Sequence, residues 1–87
     1  QNEMFAVFRW YKEEQPGLEE DWLAELDATL LRIQQHPLAC PVVYNQVRRV
    51  QVHRFPYHLF FTVTGHTIRI IACVHEKRDP SLWQNRI

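Results

Sequence analysis

Residues 47–75 read VRRVQVHRFPYHLFFTVTGHTIRIIACVH, and this stretch decides the fold. Its side chains alternate with the period of two that a half-buried strand requires. VRRVQV (47–52) is one such run, and YHLFFTVT (57–64) and TIRIIACVH (67–75) are two more. Pro56 stands at the entry to the second run, a place where a missing N–H is tolerated. Gly65-His66 separates the last two runs, and a leading glycine suits the type II′ turn of a two-residue hairpin. A loop of that length sets the register. Tyr57 should face Val74, Leu59 face Ala72, Phe61 face Ile70 and Val63 face Ile68, all on one apolar face. The other face then pairs His58 with Cys73, Phe60 with Ile71 and Thr62 with Arg69, and ends at His75. The apolar face is expected beneath helices, and the face with His and Arg toward solvent or a partner.

Upstream the period changes to that of helices. Met4, Phe8 and Tyr11 recur at i, i+4 and i+7, with Phe5 thickening the same face. Gln15-Pro16-Gly17 breaks this helix, and a second begins near Leu18. Glu19, Glu20 and Asp21 fill its first turn, where carboxylates meet the positive end of the helix dipole. Its stripe is Leu23, Leu26, Leu30 and Ile33, with Trp22 alongside, and Pro37 stops it. The expected fold is α+β: an antiparallel helix pair packed on one face of a small antiparallel β-sheet.

Eighty-seven residues make a single domain, 1–87, and 46% hydrophobic residues can build its core without metal or disulfide. Cys40 and Cys73 lack a C-x-x-C spacing and read as reduced thiols of a cytoplasmic protein. No apolar run approaches a membrane span, and QNEMFAVFRW lacks the order of a signal peptide. The histidines and cysteines show no zinc-ligand spacing, so neither metal nor cofactor is expected.

The formal net charge of zero hides a separation. Residues 1–31 hold eight acids against Arg9 and Lys12, a balance of −6. Residues 32–87 hold eight bases against Glu76 and Asp79, a balance of +6. A chain halved in this way presents a basic surface to an anionic partner, or simply solvates two faces differently.

Three strings carry a family resemblance: VRRVQVHRFPYHLFFTV, IRIIACVHEKRDPSLWQNR and, upstream, WYKEEQPGLEEDWLAEL. The ordered set resembles the RelE/ParE superfamily of bacterial toxins from type II toxin–antitoxin systems. It covers essentially the whole chain, with Trp22 where the family usually has Phe. Family members normally begin with a short strand ahead of the first helix. That strand does not appear here, which implies either a truncated form or a sheet with an open edge.

The resemblance implies a toxin held by a cognate antitoxin, in a toxin–antitoxin hetero-oligomer, away from membranes. An acidic or mixed apolar antitoxin segment is expected on the basic sheet face or at the open edge. The target is either DNA gyrase, bound without cleavage, or mRNA cut at the ribosome; a third class only binds its antitoxin. Cleavage through the 2′-hydroxyl needs a proton acceptor, a proton donor and cations for the phosphorane. His75 would then be the acid or base, with Arg48, Arg54 and Arg78 as phosphate clamps. His75 can equally be a strand-end residue hydrogen-bonded to backbone, and Trp83 can equally be packing. For target binding the candidates are Arg48, Arg69, Trp83 and Arg86, and the last two should cluster with His75 and Arg78 at the exit of the final strand. Many RelE-like nucleases carry a lysine cluster and a C-terminal tyrosine. This sequence lacks both, which tips the reading toward ParE-like inhibition of gyrase.

Overall fold

In the computed structural model, residues 2–77 are described. Helices α1 (Asn2–Glu14) and α2 (Leu18–Gln35) lead through a 3₁₀ turn, Pro37–Ala39, to four strands. These are β1 (Val42–Tyr44), β2 (Val47–Gln51), β3 (Tyr57–Thr64) and β4 (Thr67–His75). They form one antiparallel sheet in the order β1-β2-β3-β4, so the fold is the expected α+β arrangement.

The helix breaks follow local chemistry. Gly17 sits at φ 100°, a left-handed conformation that favours glycine. Its N–H donates to Glu19 Oε1 at 2.7 Å, joining the chain entering α2 to a first-turn carboxylate. At the other end, the His36 N–H closes on the Arg32 carbonyl just before Pro37.

Most of the expected stripes pack inward, with Tyr11, Leu26 and Ile33 buried and Met4, Phe8 and Leu30 packed against them. The centre of each buried face, however, lies about one position over. The buried residues of α2 are Trp22, Leu26, Thr29 and Ile33, whereas Leu23 is 43% exposed. On α1, Val7 and Tyr11 are buried and Phe5 is 59% exposed. Trp22 explains the rotation. It offers more apolar area than Leu23, and its ring N–H has a partner inside, the Met4 carbonyl at 3.3 Å. Its ring meets Phe55 at 5.3 Å and Tyr57 at 5.4 Å, both edge-on, and welds the helices to the sheet. Thr29 is tolerated in the core because its hydroxyl donates to the Glu25 carbonyl.

The β3–β4 hairpin keeps the expected register only near its turn. Phe61 faces Ile70, Thr62 faces Arg69 and Val63 faces Ile68, and Gly65 has φ 59° as the tight turn demands. Beyond Phe61 the register slips by one, with Ile71 as the extra residue of a β-bulge. Phe60 therefore faces Ala72, His58 faces Val74, Leu59 faces Cys73 and Tyr57 faces His75. This corrects the expected pairs Tyr57–Val74, Leu59–Ala72, His58–Cys73 and Phe60–Ile71. Cys73 joins the helix-side core, where burial, then the Glu3 carboxylate, pushes its thiol up to about 12. Ala72 and Val74 turn outward instead, and pack with Val47, Phe60 and Ile71 in a second apolar cluster on the opposite face. A face expected to be mainly polar thus has a small core of its own.

Strand β1 was not foreseen. Its turn to β2 runs through Asn45, at φ 51°, and Gln46. Asparagine tolerates that conformation better than most residues, and it is the signal that marks this second hairpin.

Candidate functional site

The described structure spreads the sequence-derived candidates over four places. His75 ends β4, half-buried, with its ring edge-on to Tyr57 at 5.3 Å. The bulge has brought it beside Tyr57 and off the face expected for it. Its Nδ1 accepts the Lys77 N–H at 3.2 Å, a local bond that fixes the ring. Arg54 lies in the turn before β3 at φ 73° and reaches back to α2. Its guanidinium stands 3.8 Å from Asp21 and 3.7 Å from Glu25.

Arg48 faces Phe61 across the sheet and so lies on the helix side. It donates to the Cys40 carbonyl at 2.6 Å and to the Leu38 carbonyl at 3.4 Å, tying β2 to the 3₁₀ turn. Arg69 faces Thr62 on the other side, exposed near the hairpin tip. Six steps along the strand separate it from His75, a span of roughly 20 Å. Arg78, Trp83 and Arg86 lie outside the described residues, as does their expected cluster with His75.

A gathering of basic side chains that the sequence reading passed over lies at the open end of β2. Here a pocket of about 500 Å³ is lined by Arg32, His36, Arg49 and His58, with Cys40 and Gln51 among its other walls. Arg32 and His36 come from the end of α2, one turn apart, and Arg32 donates to the Gln51 carbonyl at 3.2 Å. Arg49 and His58 come from neighbouring strands; Arg49 faces Phe60, and His58 faces Gln51. The His58 pKa lies below its ordinary 6.5, first through burial and then through Arg49, with Glu76 opposing. At neutral pH its imidazole is uncharged, beside a guanidinium. Two signals mark this site in the sequence: the i, i+4 spacing of Arg32 and His36, and the alternation of Arg49 with Gln51.

The pocket can hold an anion, and its uncharged imidazole can take a proton. Among the described residues no three His, Cys, Asp or Glu side chains gather as a metal site would need, and no helix is long and apolar enough to cross a membrane.

Two helices over a four-stranded antiparallel sheet with a basic outer rim agree with the sequence resemblance. Residues 1–80 match the family described as ParE toxin of type II toxin-antitoxin system, parDE. The chain belongs to this family. Comparison with curated proteins gives no match. Membership in a toxin–antitoxin toxin family implies a cognate antitoxin as partner. For this ParE-family chain, the sheet half is the basic surface and the helix pair the acidic one.

Proposed function

We propose that this ParE-family toxin acts by binding and inhibiting DNA gyrase, without cleaving a substrate, and that its antitoxin neutralises it. The observation that carries this reading is the engagement of the would-be nuclease groups. His75 Nδ1 is bonded to the Lys77 N–H and the ring packs on Tyr57. Arg54 is committed to Asp21 and Glu25 on α2. Nδ1 is already an acceptor, and the Arg54 cation is shared by two carboxylates. This pair supports a scaffold better than a proton relay, which needs a base beside an unpaired cation. Arg69, Trp83 and Arg86 are the proposed gyrase-binding residues, and Arg48, tied on the helix side to the Cys40 and Leu38 carbonyls, is left as a structural part.

One observation favours the competing reading, ribosome-dependent mRNA cleavage. His58 is uncharged at neutral pH and shares its pocket with Arg49, a pairing suited to a general base beside a phosphate clamp.

A gyrase supercoiling assay beside a translated-message cleavage assay tests the proposal. Inhibited supercoiling with intact message is the expected result, and His75→Ala and His58→Gln should each change inhibition little. Loss of Trp83 or Arg86 should weaken it more. Message cut at the ribosome and abolished by His58→Gln would overturn gyrase inhibition in favour of the pocket. Cleavage abolished by His75→Ala would return the chemistry to the strand end.

A further inference from the structure

The pocket at the open end of β2 gathers basic side chains and has no carboxylate among its walls. Arg32 is set in place by the protein itself. Its Nη2 donates both to the Gln51 carbonyl at 3.2 Å and to the Thr29 hydroxyl at 3.4 Å. Nε and Nη1 have no partner among the described residues, so the guanidinium is anchored with donors to spare. Arg49 shares a face of β2 with Gln51, two residues and roughly 7 Å along the strand. Its guanidinium has neither hydrogen bond nor ion pair among the described residues, whereas Arg54 is matched by Asp21 and Glu25. His36 follows Arg32 by one helical turn, and His58 stands opposite Gln51 on β3. The rest of the wall is largely apolar, with Ala39, Pro41 and Val50.

We infer that this pocket binds a small phosphomonoester of nucleoside monophosphate size, its phosphate between Arg32 and Arg49 and its flat base on the apolar wall. Each guanidinium offers a planar fork of N–H groups that matches a phosphate, a geometry that an ammonium lacks. The missing carboxylate matters as much as the cations, since an acid in the wall would pair with one of them and repel the ligand. Size argues for more than a bare anion. A volume of about 500 Å³ lies within the range of pockets for small organic ligands, roughly 300–1,000 Å³, and inorganic phosphate would fill little of it. Ala39, Pro41 and Val50 offer an anion nothing, but they give the face of a base an apolar surface to cover. His58, uncharged at neutral pH, adds a ring N–H as a further donor. A phosphate carried on a nucleic-acid strand has the same chemistry, and the test separates the two sources. The residues proposed for gyrase lie elsewhere, so this ligand site goes beyond that reading and does not rest on it.

The test uses the full chain, with binding followed by titration calorimetry and amide resonances. Adenosine 5′-monophosphate should bind and shift resonances of β2, β3 and the end of α2. Adenosine, which lacks the anion, and inorganic phosphate, which lacks the body, should each bind about tenfold more weakly or worse. Arg32→Gln and Arg49→Gln should each weaken nucleotide binding about tenfold, the scale of a lost charge-assisted hydrogen bond, and Arg9→Gln on α1 should leave it unchanged. Arg32 and Arg49 are exposed, so an unchanged circular dichroism spectrum and melting curve separate lost contact from lost fold. No nucleotide binding at millimolar concentration, adenosine or phosphate binding as tightly as the nucleotide, or indifference to both arginine variants would overturn the inference. So would a single-stranded oligonucleotide without a terminal phosphate that displaces the nucleotide at lower concentration, since the pocket would then hold a strand backbone. None of these readouts involves gyrase, translated message or antitoxin, so this inference and the gyrase reading can fail independently.

Discussion

The helical layer and the sheet layer meet in one core yet present opposite outer surfaces. The helices face outward with carboxylates and an uncovered apolar groove. The sheet faces outward with Arg49, His58 and Arg69 around a small apolar cluster of its own. A toxin has to be held by one partner and strike another, and a domain this small has few surfaces to divide between them. Segregated charge lets each layer repel what the other attracts. The core between them is dominated by rings, with Trp22, Phe55, Tyr57 and Tyr11 in edge-on or tilted contact.

The contrast between the two faces of the sheet is tested by adjacent phenylalanines. Phe61 is fully buried in the helix-side core, and Phe61→Ala should cost about 3–5 kcal/mol in chemical denaturation. Phe60 belongs to the smaller outer cluster, which can collapse around a gap, so Phe60→Ala should cost about 2–3 kcal/mol, close to the transfer term alone. Equal costs would mean the outer cluster is as well packed as the main core, and the distinction between the faces would fall.

Arg54 sharpens the comparison at the seam where the basic half grips the acidic one. Arg54→Ala gives up two partly exposed ion pairs, a loss of about 1 kcal/mol. Arg54→Gly gives up the same pairs but removes a side chain from φ 73°, a strain of about 1 kcal/mol, and should be nearly neutral. If glycine is the worse of the two, the left-handed conformation carries no strain here. High salt should narrow the gap between wild type and Arg54→Ala, and leave Arg54→Gly more stable than wild type.

The smallest expected effect concerns His58 in the pocket it shares with Arg32 and Arg49. Its folded-state pKa is depressed, so between that value and the ordinary 6.5 the unfolded chain binds the extra proton. Stability therefore falls as pH drops through that window, and the contribution is fully present above it. His58→Gln should flatten this part of the stability–pH curve, measured by urea midpoints between pH 7 and pH 5. An unchanged slope would show that acid sensitivity arises at other groups.

Much of the fold was legible in local chemistry. Pro16-Gly17 and Pro37 bound α2 because one residue type resists helical backbone and the other supplies a left-handed turn. Gly65-His66 places the hairpin and the four pairs nearest its turn, because a two-residue loop leaves only one register for the residues beside it. The candidate site was less legible. Period-two alternation located the arginines of β2 on opposite faces, but not the pocket that Arg49 shares with Arg32 and His36, which depends on how the end of α2 folds back beside β2.

What the sequence by itself determined is the order of the two helices and the last three strands, the charge division and the family, since each depends on residues that are neighbours in the chain. The bulge at Ile71, the rotation of α2 onto Trp22 and the faces of Cys73 and His75 were decided only by tertiary structure. Local pattern permits either register on the far side of Phe60. The choice falls to packing on both sides of the sheet at once, where Cys73 fills the helix-side core and Ala72 and Val74 close the outer cluster.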